Sequence, residues 1–194
     1  MEAWRFVTDN VAPEMTVVIG DSAGGHMMLM LLLAIKDAGL EQPALGIGLC
    51  PWTDIGDRGN SMTGNDPNDL VQGWMALKFG EWLDPKGNFG RGVLSPISYD
   101  YSGLAPLYLQ AGGREVLRDM IVDFAHVQAA QGADVMLDLW PDMPHDFQLM
   151  DSTQADSTAA LKRITQMVKA HVDASEEVTK GTMTRDLKRA AQVP

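Results

Sequence analysis

The sequence holds one cysteine, Cys50, few cations and no long apolar run. A lone cysteine excludes an internal disulfide and a cysteine-built zinc cage, and its apolar neighbours mark Cys50 as a small buried residue in a chain suited to a reducing cytoplasm. Lys and Arg total 15 against 26 Asp and Glu, a formal net charge of -11, so the chain lacks the basic face that nucleic acid or an anionic membrane surface would require. The longest apolar stretch, Met27 to Ile35, falls far short of the ~20 residues of a bilayer-spanning helix. The first segment, MEAWRFVTDNVAPE, has acidic residues and no continuous apolar core, and so does not read as a secretory signal. Walker-type and dinucleotide fingerprints are missing, and no cluster of His and carboxylates has metal-ligand spacing, so the sequence asks for no cofactor and no metal. What remains is an ordinary globular composition, 45% hydrophobic and 21% charged over 194 residues, enough for one core and one domain.

The informative stretch is VVIGDSAGGH, residues 17 to 26. The run MTVVI reads as a fully buried strand, and AGGHMMLMLLLAIKDAG as a helix that is apolar almost all round and closes on a left-handed Gly39. Ser22 stands between them on a strand-to-helix elbow. In Gly20-x-Ser22-x-Gly24 both glycines are expected to relieve collisions across so sharp a turn, leaving the serine hydroxyl free at the strand's end. The N–H of Ala23, at the helix N-terminus, is placed to donate to an oxyanion.

The rest of the chain alternates strands with helices. A short helix packs through Trp4 and Val7 ahead of the elbow strand. ALGIGLC is a second strand, and PWTDIGDRGNSMTGNDPND is a loop rich in breakers whose Pro67 to Asp69 opens a further helix. That helix, through DLVQGWMALKFGEWL, carries Leu70, Val71, Trp74, Leu77, Met75, Phe79 and Trp82, a wide apolar surface expected to pack as core and to wall an acyl pocket. LYLQAG is a third strand, LRDMIVDFAHVQAAQG an amphipathic helix ended by Gly132, and DVMLDLWP a half-exposed fourth strand. A last helix keeps Leu161, Ile164, Val168 and Val172 on one face, and the pattern fades after Ser175. Such alternation implies α/β architecture, a three-layer sandwich with a mostly parallel sheet. Ligands of such sheets bind at the carboxyl ends of the strands, where Ser22, Glu115 and His145 all fall.

Those three supply what acyl transfer requires. A serine hydroxyl needs a base to take its proton, and an imidazole needs a carboxylate to fix its tautomer and stabilise its charged form. They also follow the order nucleophile, acid, histidine. Asp119 and Asp142 are the rival acids. His26 lies too near the elbow to serve as base and is expected to pack or bond along its helix, and His126 and His171 sit within helices. Asp21, Trp52 and Trp74 are the candidate substrate-pocket residues.

GDSAGGH, CPWTDI, SPISYDYSGLAPLYLQAGGREVLRD and WPDMPHDFQLM, in that order, resemble the hormone-sensitive lipase-like branch of the α/β hydrolases, a group of carboxylesterases and lipases. The resemblance implies Ser22 as nucleophile, Glu115 as acid and His145 as base, ester hydrolysis through an acyl-enzyme, no cofactor, and a homodimer joined along the last strand; short or medium acyl esters are the expected substrates, and the exposed elbow strand is a second place where copies could pair. Family members carry an HGGG oxyanion loop tens of residues before the elbow, with earlier strands and a helical cap, and none of these is in this sequence. The resemblance therefore implies a partial, N-terminally shortened fold lacking those strands and most of the cap. Residues 1–175 form the C-terminal portion of the hydrolase domain, with 54–90 an insert near the cap side and 176–194 a polar tail, and the elbow strand becomes an edge. A non-catalytic remnant serving as a binding or assembly module is the alternative reading, and amide or carbamate hydrolysis would use the same three groups.

Overall fold

The computed structural model describes residues 1–190, with side chains described through residue 173. In chain order its elements are α1 (Glu2–Thr8), β1 (Val17–Asp21), α2 (Ser22–Asp37), β2 (Leu45–Leu49), α3 (Ser61–Gly64), α4 (Gly73–Leu83), α5 (Arg91–Leu94), β3 (Leu107–Gly112), α6 (Arg118–Gln131), β4 (Val135–Trp140), α7 (Phe147–Met150) and α8 (Ala155–Ala190). The four strands lie in the order β1-β2-β3-β4, every neighbouring pair parallel, with Ile19 opposite Ile47 and Leu109 opposite Leu137. Parallel neighbours require a crossover, supplied by α2 between β1 and β2, by the long segment carrying α3, α4 and α5 between β2 and β3, and by α6 between β3 and β4. Met28, Leu29 and Leu32 of α2 and Phe124 of α6 cover one face of the sheet around Leu107 and Leu109. Ile164, Leu161 and Val168 of α8 cover the other, on Leu45, Ile47, Leu49 and Tyr108. The result is the three-layer α/β sandwich.

Several elements depart from the sequence reading. β1 is an edge of the sheet, as the resemblance implies, and the strand that its composition marks as fully buried leaves Ile19 53% exposed. In α1 Trp4 is buried but Val7 turns outward. Pro67 opens no α-helix: Asp66–Asn68 is a single 3-10 turn, and α4 begins at Gly73. The largest departure is in α4 itself, where Gly73, Ala76 and Gly80 are the buried residues, while Leu70 just before it and Trp74 and Trp82 within it are 69%, 63% and 63% exposed. The reason is backbone approach. A Cβ on Gly73 would lie 1.9 Å from the Met62 carbonyl oxygen, and one on Gly80 would lie 2.5 Å from that of Ile55. The small residues, three and four positions apart, let the helix lie directly on the chain, and the aromatic side is rolled outward. The tail read from 176 onward continues α8 to Ala190, as a stretch without proline permits, and residues 191–194 lie outside the described residues. Among the described residues no helix is long and apolar enough to cross a membrane.

The segment 54–90 is fastened at its root by one buried carboxylate. Asp54 accepts hydrogen bonds from Arg91 (two, both 2.7 Å), Arg58 (2.7 Å), Ser95 (3.0 Å) and the Gly56 N–H (2.9 Å). Burial pushes this carboxyl up, but the bonds from Arg91, Arg58, Gly56 and Ser95 outweigh it and hold Asp54 at about 2. Because the folded value lies below the unfolded one, its contribution of about 2 kcal/mol is fully present above pH ~4 and is lost as pH falls toward 2. Urea unfolding across that range is expected to show the loss, and Asp54→Asn to flatten it while lowering stability at neutral pH.

Candidate active site

At the elbow the chain passes from β1 into α2 through Ser22, a non-glycine residue at φ 50°, in the left-handed region. Such a conformation in a serine is strained and marks a local requirement. The turn is tight on one side only. A Cβ on Gly20 would lie 2.2 Å from the Gly24 carbonyl oxygen, whereas one on Gly24 would meet nothing nearer than an Asp21 carboxylate oxygen at 3.4 Å. The second sterically constrained glycine is Gly25, where a Cβ would lie 2.6 Å from Cβ of Pro51. The expectation that Gly24 relieves a collision is thus corrected: Gly20 and Gly25 let the elbow and the next loop pack, and the Trp52 N–H then donates to the Ser22 carbonyl at 3.0 Å.

The loops after β3 and β4 bring Glu115 and His145 to the same end of the sheet. His145 Nε2 lies 2.9 Å from Ser22 Oγ, and Nδ1 lies 2.7 Å from Glu115 Oε2. The other oxygen of Glu115 accepts the Gly112 N–H at 2.7 Å, so the fully buried carboxylate is held at both ends. Burial pulls the imidazole down, but the Glu115 hydrogen bond and the charges of Glu115, Asp146 and Asp69 leave it above the ordinary histidine value. The rival acids are engaged elsewhere: Asp119 accepts the Ser61 N–H at 2.9 Å and pairs with Arg118, and Asp142 pairs with Arg114 at 2.7 Å. His26 is buried, edge-on to Trp52 with ring centroids 5.4 Å apart, so it packs across the fold against the loop after β2.

Cys50 closes the site from beneath. Its sulfur accepts the Asp146 N–H at 3.3 Å, and its ligand atom lies with those of Glu115 and His145 within 4.8 Å, a grouping the sequence spacing did not disclose. Burial, with the charges of Glu115 and Asp146, pushes the thiol well up, so that it packs here as a neutral group. Asp146 is the residue that sequence reasoning missed here. It has φ 52°, and its Oδ2 lies 3.3 Å from His145 Nε2, on the serine side of the ring. Burial pushes its carboxyl up to about 6, with His145 opposing and the charges of Asp21, Glu115 and Asp69 adding.

Two cavities open at the elbow and share Ala23 and Trp52. The first, about 110 Å³, is lined by Ser22, Ala23, Trp52, Val71, Ala76, Phe79 and Leu117. The second, about 320 Å³ and almost wholly apolar, runs past His26, Met27, Met30, Leu83 and Leu94. Trp52 lines both cavities. Asp21 is exposed and Trp74 bonds Gln72 on the outer side of α4, and neither lines these cavities. α4 contributes Ala76 and Phe79 to the first cavity and Leu83 to the second.

The model of the α/β hydrolase fold family matches residues 1–149. An acetyl-hydrolase of Streptomyces hygroscopicus is 30% identical over 149 residues, covering 74% of this chain and 48% of that protein. Among solved structures, an esterase of the bacterial hormone-sensitive lipase family superposes with a TM-score of 0.82 at 30% identity, covering 88% of this chain and 58% of the other. EstE5, whose crystal was soaked with p-nitrophenyl butyrate, matches with a TM-score of 0.82 at 26% identity over the same shares. The chain spans about half the length of these proteins.

Proposed function

The chain belongs to the α/β hydrolase fold family, in its hormone-sensitive lipase-like branch, and from that premise we propose that it is a serine carboxylic-ester hydrolase working through an acyl-enzyme. The observation that carries the reading is the unbroken relay from Ser22 Oγ to His145 at 2.9 Å and from His145 to Glu115 at 2.7 Å. In this mechanism His145 takes the hydroxyl proton as Ser22 Oγ attacks the ester carbonyl, and then gives it to the departing alkoxide. Glu115 holds the imidazole with Nδ1–H toward itself and stabilises the imidazolium. Ala23 N–H donates to the tetrahedral oxyanion. The acyl group enters the cavity walled by Val71, Ala76, Phe79 and Leu117, whose size and apolar lining suit short or medium chains of a small-molecule ester.

The test is the release of p-nitrophenol from p-nitrophenyl butyrate on mixing with the purified chain, beside Ser22→Ala. A stoichiometric burst followed by turnover, absent in the variant and accompanied by butyrylation of the Ser22 peptide, is the expected outcome. A folded sample without a burst would overturn ester hydrolysis by this chain and leave a binding or assembly module.

A further inference from the structure

The loop between α3 and α4 reaches across both segments that carry the acid and the base. We propose that Asp69, in that loop, is a positioning residue for the Glu115–His145 pair, its single carboxylate bridging the two loops on which these side chains stand. This rests on the acyl-transfer reading above. Asp69 Oδ2 accepts the Val116 N–H at 2.7 Å, and Oδ1 accepts the His145 N–H at 3.1 Å. One amide directly follows the acid and the other belongs to the base itself. Two backbone bonds, from the Gly113 N–H to the Trp140 carbonyl at 2.7 Å and from the Arg114 N–H to the Met143 carbonyl at 3.0 Å, join these loops at their strand ends, and the Asp69 bridge adds the link at Val116 and His145 themselves, where the distance from Nδ1 to Glu115 is set.

The surroundings hold Asp69 for this task. Asn65 donates its side-chain N–H to the Glu115 carbonyl at 2.8 Å, pinning the loop to the acid segment a second time. Asp66 accepts the Gly73 N–H at 2.7 Å and folds the loop back to α4. Asp69 also accepts its neighbour's N–H, from Leu70, at 2.8 Å, which fixes the carboxylate plane. Only a carboxylate has acceptors on both prongs and no donor, so an amide in its place would turn an N–H toward one of the two backbone N–H groups. Around the imidazole the charged or titratable groups are Glu115, Asp69, Asp146 and the Cys50 thiol. The charge of Asp69 is among those that favour the imidazolium.

Asp69→Asn and Asp69→Ala test this, the first keeping the side-chain volume so that a folded variant is available. Amide hydrogen exchange by NMR is expected to quicken at Val116, at His145 or at both, with amides in β3 and β4 unchanged, and the His145 imidazole is expected to titrate at lower pH than in the parent chain. Neither reading requires turnover. With p-nitrophenyl butyrate, kcat is expected to fall about 10- to 100-fold with KM little changed, and the acidic limb of the pH profile to move down with the imidazole. Unaltered exchange at both amides together with an unmoved His145 titration would overturn the proposal. If the parent chain gives no burst, the exchange and titration results still decide the role of Asp69, and the failure belongs to the esterase reading alone.

Discussion

Replacing Glu115 with Gln is expected to lower kcat on p-nitrophenyl butyrate by about 10⁴-fold with KM little changed. The amide has nearly the carboxylate's shape, so the loss comes from what the group does electrically and as an acceptor. Glu115 is fully buried and takes its two bonds from Gly112 N–H and from His145 Nδ1, both at 2.7 Å. An amide can accept only one of them with its oxygen, and its N–H₂ then meets a donor or forces the imidazole into the other tautomer, with its proton on Nε2 facing Ser22. In that state the ring cannot take the serine proton. The pH profile gives a second readout. Glu115 raises His145 by its hydrogen bond and charge against burial, and a general base works in its neutral form, so activity rises with pH through the imidazole's value. Without the carboxylate that value falls, and the acidic limb of kcat/KM is expected to move to lower pH as the plateau collapses. A variant within tenfold of the parent would take the role of acid away from Glu115 and direct attention to Asp146, whose carboxylate lies 3.3 Å from the same ring.

What the sequence disclosed and what it hid divide along a physical line. β3 is a short apolar run between breakers whose limits, Leu107–Gly112, match the sequence reading, and β4, Val135–Trp140, lies one residue inside each end of the stretch read as a strand. The order of Ser22, Glu115 and His145, each just past a strand, was legible because strand ends and chain order are local properties. Asp69 was not, since its partners lie 47 and 76 positions away and are backbone amides, which leave no trace in residue type. The side of α4 that packs was misjudged for a related reason. Hydrophobic periodicity marks the face with more apolar surface, but Gly73, Ala76 and Gly80 offer something a transfer scale does not weigh, direct contact of the helix with the chain beneath it. Phe79 thereby became a pocket wall and Trp74 an outward residue. β1 shows the opposite limit. Its composition is that of an interior strand, and only the resemblance, with its missing flanking strands, marks it as an edge, since burial depends on what lies beside a strand and not only on what composes it.

The elbow offers a prediction in which two similar substitutions should part company. Gly20→Ala is expected to destabilise the fold by about 3 kcal/mol or more and to abolish the burst, whereas Gly24→Ala is expected to stay within about 1 kcal/mol of the parent. The new methyl at position 20 would stand 2.2 Å and 2.3 Å from the carbonyl oxygen and carbon of Gly24, and 2.8 Å from the nitrogen of Gly25. These are backbone atoms in the first turn of α2 and cannot step aside as a flexible side chain does, so relief must come from opening the turn. Opening it swings Ser22, held at φ 50°, away from the imaginary line to His145 Nε2, and the 2.9 Å contact on which proton transfer depends is the first to be lost. At position 24 the methyl finds a carboxylate oxygen at 3.4 Å, an ordinary contact, and a helix residue that prefers alanine to glycine. Urea unfolding and burst amplitude on the two variants measure both halves. Equal losses would mean that the glycines act as a pair through the flexibility of the turn; a loss confined to position 20 assigns the elbow's geometry to one steric contact between the end of the strand and the start of the helix.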